Sequence, residues 1–277
     1  MYPIGLSSCG KPLCEELFIQ YREAGVAAME ISERSYDNLP YAEIAAWAKA
    51  HKVTLWSMHL PFVPFHLIDI SSLDREVQRF SIKHLSELIK RGAEIGIQKF
   101  VVHPSGEPID DAVREERLLT AQESLYTLAD VAAKAGGMVA VENLPRTCLG
   151  KNASEMVRLT EIDPRLGVCF DTNHLLGEEA VSFIHRLGTK IVTTHVSDYD
   201  FVDERHWLPG EGRLNWATLI QALRAIDFRG VWMYELGFTA PKTISRPRDL
   251  TCADFVRNAN EIFALQKPSL ITAAEIN

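Results

Sequence analysis

The chain of 277 residues predicts an α/β fold, a single (β/α)8 TIM barrel. Three observations carry the prediction. Eight short apolar runs alternate with eight helix-like segments, and no gap between them is long enough for another domain. Acids or histidines recur at the carboxyl ends of the runs, the end where such barrels keep their chemistry.

Taken in order, Ile4 to Ser8 is the first strand, followed by an amphipathic helix over Lys11 to Ala24 that Gly25 closes. Val26 to Ser32 is the second strand. A helix begins after Pro40 and runs to Lys52, and the third strand, Val53 to Leu60, stops at Pro61 because proline lacks a backbone donor. An aromatic-rich loop leads to Ser72, read as the cap of a long helix over Leu73 to Ile95, with Glu76 near its positive end. The fourth strand, Lys99 to His103, ends at Pro104, and Ile109 to Ala135 is helical until Gly136-Gly137 breaks it. Met138 to Glu142 is the fifth strand, Ala153 to Glu161 its helix, and Leu166 to Asp171 the sixth strand. Glu178 to Leu187 is helical, Gly188 releases it into the seventh strand, Lys190 to His195, and a long loop reaches a helix from Leu214 to Asp227. Gly230 precedes the last strand, Val231 to Glu235, and Asp249 to Leu265 is the last helix. On this reading residues 1–277 form one domain, with 266–277 as a loose tail.

A composition that is 47% hydrophobic supports a large buried core. No run approaches the roughly 18 consecutive apolar residues of a membrane span. Met1-Tyr2-Pro3-Ile4-Gly5 enters a strand instead of a signal segment, which makes the cytoplasm the default and a membrane partner unexpected. Cys9, Cys14, Cys148, Cys169 and Cys252 are odd in number and contain no Cys-x-x-Cys, so neither a disulfide framework nor a zinc ribbon is indicated. A net charge of -8 works against a nucleic-acid partner. No dinucleotide-binding glycine motif or P-loop is present, so no nucleotide cofactor is expected. The oligomeric state, a homo-oligomer included, is open.

In a barrel strand every second side chain points inward. Stepping back by two from Glu142 gives Ala140 and Met138; from Asp171, Cys169 and Gly167; from His195, Thr193 and Ile191; from Glu235, Met233 and Val231. The same step from His59 gives Ser57, Leu55 and Val53, and from His103 gives Val101. All suit a barrel interior, so these six polar residues converge on one mouth. Trp56 fails this parity and is expected to pack beneath a helix. Glu30, at the end of the second strand, either reaches a substrate or makes an outward cap or a salt bridge. A lone acid or histidine at a strand end is more often structural than a ligand. Glu142, Asp171 and Glu235 together are different, because three negative charges in one low-dielectric cavity require a cation among them. One divalent ion, Mn²⁺, Co²⁺, Mg²⁺ or Zn²⁺, held by Glu142, Asp171, His195 and Glu235 meets that requirement and leaves positions open for two substrate oxygens. His59, His103, His174 and His206 also fall at strand ends or in the loops after them; His51, His66, His84 and His185 read as surface or packing residues.

The set Val141-Glu142-Asn143, Phe170-Asp171-Thr172-Asn173-His174, Thr194-His195-Val196-Ser197-Asp198, His206-Trp207-Leu208-Pro209-Gly210-Glu211-Gly212 and Tyr234-Glu235 resembles the xylose isomerase-like TIM-barrel superfamily of sugar isomerases and epimerases. Its other large branch is the endonuclease IV type of apurinic-site nuclease. Each motif alone is weak; together, in order and at the ends of the expected strands, they cover nearly the whole chain. In epimerases of the D-tagatose 3-epimerase type the positions matching Glu142, Asp171, His195 and Glu235 hold one divalent metal, and the two glutamates also serve as acid and base. The resemblance therefore implies an isomerase or epimerase of a small sugar, sugar phosphate or polyol, working by proton transfer through a metal-stabilised enediolate. Glu142 and Glu235 would be catalytic, and His174, His206, His59 and His103 would bind substrate. Return of the proton to the opposite face gives an epimer, and to the adjacent carbon an aldose-ketose isomer. An inosose-type dehydratase or isomerase on the same metal site is an alternative. The nuclease branch, a multi-zinc phosphodiesterase, places further metal ligands at the positions matching His59, His103, His174, Glu204 and His206, with aspartate where this chain has Glu204. The acidic charge favours the sugar enzyme. Arg146, Arg205, Arg213, Lys242, Arg246 and Arg248 lie where a sugar phosphate could be bound, and Phe62, Phe65, Trp207 and Phe238 where a sugar face could stack.

Overall fold

Eight parallel strands and eight α-helices alternate along the chain: β1 Ile4–Ser7, α1 Glu15–Ala24, β2 Ala28–Ile31, α2 Tyr41–His51, β3 Thr54–His59, α3 Arg75–Glu94, β4 Lys99–Val102, α4 Arg114–Lys134, β5 Met138–Glu142, α5 Ala153–Thr160, β6 Leu166–Asp171, α6 Ala180–Leu187, β7 Ile191–His195, α7 Trp216–Ala225, β8 Trp232–Tyr234 and α8 Cys252–Phe263. The structure, a computed structural model, describes residues 1–9, 11–33 and 35–272. The strands pair in the order β7-β6-β5-β4-β3-β2-β1-β8. The N–H of Val196 bonds Met233 O at 2.8 Å and the N–H of Glu235 bonds Val196 O at 3.3 Å, so β7 meets β8 and the sheet closes into the expected (β/α)8 barrel.

Helix ends follow local chemistry. The first helix starts at Glu15 and not at Lys11, because the N–H of Lys11 turns back to Ser8 O at 2.9 Å. The long third helix is capped by Asp74 in place of Ser72: the Asp74 carboxylate accepts the N–H of Glu76 at 2.9 Å. Its buried apolar positions Leu85, Leu88, Ile89 and Gly92 lie on one side of the helix, with Gly92 against Phe100 and Met58 of the barrel, while the buried Gln78 bonds Thr120 O and Ser124 Oγ of α4. Truncating one of these leucines to alanine would cost about 2–5 kcal/mol. Helix α8 carries the reciprocal cap, with Thr251 and Asp254 each accepting the other's backbone N–H.

Period-two parity holds in β5, β6 and β8 and fails in two strands. Between β2 and β3 the pairing runs Met29↔Leu55 and then Glu30↔Ser57, and between β6 and β7 it runs Val168↔Ile191 and then Cys169↔Thr193. One extra residue, Trp56 and Val192 respectively, is inserted in each case. Below the bulges the inward set changes. Val53, Leu55 and Ile191 belong to the outer core between sheet and helices, while Trp56 packs with Ala28, Val231 and Met233, and Val192 with Val101, Ala140 and Cys169. Trp56 therefore lies inside the barrel and not beneath a helix. Its Nε1–H donates to Thr193 Oγ1 at 2.9 Å across the interior, and Lys99 Nζ sits 3.5 Å from its ring centroid.

The segment read as a loose tail is tied down through its described part. Ser269 donates its N–H and hydroxyl to Glu261, both at 2.7 Å, and Ile271 is buried. The remainder of that segment lies outside the described residues. Among the described residues no helix is long and apolar enough to cross a membrane.

Candidate functional site

Glu142 ends β5, Asp171 ends β6 and His195 ends β7, while Glu235 follows β8 directly. Asn143 aligns the first two: its side chain accepts the N–H of Asp171 at 2.8 Å and donates to Asp171 O at 2.9 Å, clamping the ends of β5 and β6 together. One ligand atom from each of Glu142, Asp171, His195 and Glu235 lies within 4.8 Å of the others. His195 turns Nδ1 to this group, 3.2 Å from Glu142 Oε1 and 3.2 Å from Glu235 Oε2. Asp171 uses Oδ1 to accept the N–H of Asn173 at 2.6 Å, whereas its buried Oδ2 has no hydrogen-bond partner. Stripping a buried acceptor of its partner costs about 1–3 kcal/mol, and more when it is charged. A carboxylate oxygen without a hydrogen bond, grouped with two more carboxylates and an imidazole nitrogen, fits a divalent cation, so these four residues could hold one.

Histidines crowd the rest of the mouth. His59 faces Leu60 O with Nδ1 at 3.0 Å and Glu142 Oε2 with Nε2 at 3.1 Å; His103 Nε2 meets the same carboxylate oxygen at 3.2 Å. His174 faces Asn143 O with Nδ1 at 3.0 Å and Glu204 Oε2 with Nε2 at 3.1 Å. In both His59 and His174 each ring nitrogen meets an acceptor, which calls for the charged imidazolium. Burial opposes that charge, but Glu142 pulls His59 up to about 9, and Asp171 with Glu204 pulls His174 up to about 10. Burial pushes His103 down despite Glu142. Burial likewise works against a charged His195, yet Glu235, Glu30 and Glu142 hold it well above its ordinary value. The Asp171 carboxyl is pushed up by burial and by its anionic neighbours, while Glu142 and Glu235, despite their burial, are held low chiefly by His195. Protons on the histidines thus balance the carboxylates in the absence of a metal.

The mouth opens into a cleft of about 200 Å³ whose lining includes His59, Phe62, Phe65, His103, Arg146, His174, Glu204, His206 and Glu235. That is below the roughly 300–1,000 Å³ usual for drug-sized ligands, and suits a small molecule. The xylose isomerase-like TIM-barrel family model matches residues 18–249. The chain belongs to the xylose isomerase-like TIM-barrel family. Among solved structures it is similar to a D-tagatose 3-epimerase-like protein, at a TM-score of 0.81 and 20% identity over 96% of this chain and 98% of that one. An L-ribulose 3-epimerase gives a TM-score of 0.79 at 19% identity over 96% and 94%, and the 3-keto-D-glucoside 4-epimerase of E. coli 0.71 at 20% over 87% and 94%. At such identities the likeness concerns the fold. An uncharacterized protein of Methanocaldococcus jannaschii is 26% identical over 177 residues, 61% of this chain, and the match spans only 60% of that relative's length.

Several residues of this xylose isomerase-like barrel stand elsewhere than the sequence suggests. Glu30 makes the salt bridge that was the alternative to substrate contact, but inward: it is fully buried, with Oε2 3.0 Å from His195 Nε2. Four of the basic residues considered for phosphate are already engaged. Arg146 bonds Glu107, Asp203 and Glu204, Arg205 bonds Asp200, Arg246 makes a buried bidentate pair with Glu211, and Arg248 bonds Asp254. Phe62 and Phe65 line the cleft, and Phe62 stacks on His103 with centroids 3.9 Å apart. Trp207 instead donates to Thr243 Oγ1, and Phe238 packs against Phe255. The Pro209-Gly210-Glu211-Gly212 motif folds the loop around Asp198, a residue whose role the sequence left unassigned. Gly210, at φ 99°, donates its N–H to Asp198 Oδ2, and a Cβ on Gly212 would collide with Asp198 Oδ1.

His174, Glu204 and His206 form a second group with ligand atoms within 4.8 Å of one another. Arg146 Nη1 occupies Glu204 Oε1 at 2.9 Å, and the bond from His174 first, with Arg146 behind it, holds the Glu204 carboxyl down at about 2. A guanidinium and an imidazolium already neutralise that acid.

Proposed function

We propose that this chain is a divalent-metal-dependent isomerase or epimerase of a small sugar, with Glu142, Asp171, His195 and Glu235 holding one ion. The observation that carries the reading is the buried Asp171 Oδ2, which has no hydrogen-bond partner and has the His174 ring at 3.5 Å beside it, in a group of three carboxylates and one imidazole nitrogen. A cation held there would supply positive charge that acidifies the proton on a hydroxyl-bearing carbon next to a carbonyl.

The two glutamates divide the proton work by what else they touch. Glu142 Oε2 is fixed by His59 and His103, so only Oε1 faces the cluster. Glu235 is 14% exposed, and its Oε1 comes no nearer to His59 Nε2 than 4.0 Å, which leaves that oxygen room to take up a proton. His174 and His206 line the cleft where substrate hydroxyls would lie, whereas His59 and His103 serve mainly to orient Glu142. Of the six basic residues considered for a phosphate, Arg146 lines the cleft and is already paired with Glu107, Asp203 and Glu204, whereas Arg213 and Lys242 are not among the lining residues, so the substrate favoured here is unphosphorylated. The names borne by the similar structures favour epimerisation over aldose-ketose isomerisation or dehydration.

The His174, Glu204 and His206 group supports a second reading, a multi-zinc phosphodiesterase. Arg146 on Glu204, the small cleft and the net charge of -8 weigh against it. Metal analysis of the purified protein, followed by incubation with ketoses in D₂O, tests both. One ion per chain and deuterium at carbon three is the expected result; deuterium at carbon one would mean isomerisation. Three zinc ions with cleavage of an apurinic-site DNA, and no exchange into any ketose, would overturn the proposal.

A further inference from the structure

His195 is held from behind as well as from the cluster. Glu30 in β2 is fully buried, and its Oε2 lies 3.0 Å from His195 Nε2 while accepting the Ser57 hydroxyl at 2.7 Å. The extra residue in β3 sets Ser57, and not Trp56, beside Glu30 in the register. Glu30 does not line the cleft and is no part of the four-residue cluster, so the proton-transfer reading does not use it. Its other oxygen, Oε1, is buried without a hydrogen-bond partner. A buried carboxylate kept only for structure should have both oxygens satisfied.

We propose that Glu30 is the positioning residue of the metal site: it fixes His195 with the proton on Nε2, so that the lone pair on Nδ1 is turned to the cluster and made more basic. An ionised carboxylate can only accept, and a neutral imidazole carries its proton on one nitrogen and its lone pair on the other. With Nε2–H committed to Glu30, Nδ1 is the only donor atom left, and it is the atom facing Glu142 Oε1 and Glu235 Oε2. A carboxylate behind a ligating histidine typically accounts for about 10–100-fold in metal affinity. The inference rests on the metal reading above, and its test is separable from turnover.

Glu30→Ala removes the acceptor, and Glu30→Gln keeps its shape with a weaker, neutral one. The Mn²⁺ dissociation constant is measured by competition with a fluorescent chelator, and folding of each metal-free variant is checked by urea denaturation. Nitrogen-15 NMR of the Zn²⁺-loaded, histidine-labelled protein reports which His195 nitrogen bears the proton. The expected results are Mn²⁺ binding weakened about 10–100-fold in Glu30→Ala and several-fold in Glu30→Gln, with the wild-type proton on Nε2. A folded Glu30→Gln variant that binds Mn²⁺ within twofold of wild type, or a wild-type proton on Nδ1, overturns the proposal; if Glu30→Ala does not fold, the glutamine variant decides alone. Wild-type protein that takes up no Mn²⁺ sinks the metal reading and this inference together. Weakened Mn²⁺ binding in the variants, with no exchange into any sugar by the wild type, supports Glu30 and removes only the sugar reading.

Discussion

Replacing Asp198 by asparagine is expected to loosen the loop that presents Glu204 and His206. Asp198 is fully buried just after β7. Its Oδ1 accepts the N–H groups of Tyr199 at 2.9 Å and Leu214 at 3.1 Å, and its Oδ2 accepts the N–H of Gly210 at 2.8 Å and Trp216 Nε1–H at 2.9 Å. The donors are split two and two, so either amide orientation of an asparagine points its NH₂ at two of them. Each buried donor left unmet costs about 1–3 kcal/mol, which makes the substitution worth about 2–6 kcal/mol. That is a large share of the ~5–15 kcal/mol that holds a typical protein folded.

Urea denaturation followed by tryptophan fluorescence measures the loss, which should lower the midpoint while leaving the slope unchanged. Limited proteolysis should show new cleavage between 200 and 213. Trp216→Phe is the comparison: it withdraws one donor and leaves the carboxylate with three, so a single hydrogen bond to a charged group, about 1.5–3 kcal/mol, is at stake. If Asp198→Asn stays within about 1 kcal/mol of wild type and the loop resists protease, the carboxylate is not what organises it.

Chelation should abolish turnover, and Mn²⁺ or Co²⁺ should restore it; protein fully active after exhaustive metal removal would contradict the proposed chemistry. At a hundredfold excess over its dissociation constant the ion should add about 2.7 kcal/mol of stability, seen as a rise of about 5 °C in Tm. Glu142→Gln and Glu235→Gln should each lower turnover by about 10²–10⁴-fold while some metal still binds, and near-normal kcat in either would remove that residue from proton transfer. Thr193→Val strands the indole N–H of half-buried Trp56 and should cost about 1 kcal/mol in urea denaturation; no loss would mean the cross-barrel bond at 2.9 Å is inconsequential. Arg146→Met frees Oε1 of Glu204 and leaves Oε2 on His174, and zinc stoichiometry should then rise from one ion per chain to two; an unchanged count would show that Arg146 is not what keeps a second ion from binding there.

The architecture was legible because a barrel repeats one unit eight times, and each strand declares itself by length, apolar content and a Gly or Pro stop. Glu142, Asp171, His195 and Glu235 could be found from strand ends alone, since the carboxyl end of a barrel strand fixes both height and facing. What the sequence could not show depends on partners distant along the chain. Arg146 looked free until the loop after β7 brought Asp203 and Glu204 to it, and Arg246 until Glu211 met it in a buried pair. Asp198 was visible as part of a motif, but its four donors come from Tyr199, Gly210, Leu214 and Trp216, and nothing in their spacing says that they close on one carboxylate.

The errors of parity and the geometry of the site have one cause. A slip of one residue in register turns a strand's side chains to the opposite face. Continuing β6 and β7 from Val168↔Ile191 without an extra residue would set Asp171 beside Thr194, which donates its hydroxyl to Val231 O at 3.1 Å and takes no part in the cluster. The insertion of Val192 sets Asp171 beside His195 instead. Continuing β2 and β3 from Met29↔Leu55 would set Glu30 beside Trp56; the inserted residue sets it beside Ser57, whose hydroxyl steadies the carboxylate behind His195. The bulges that put Trp56 and Val192 inside the barrel are therefore also what bring an acid to each side of the same imidazole.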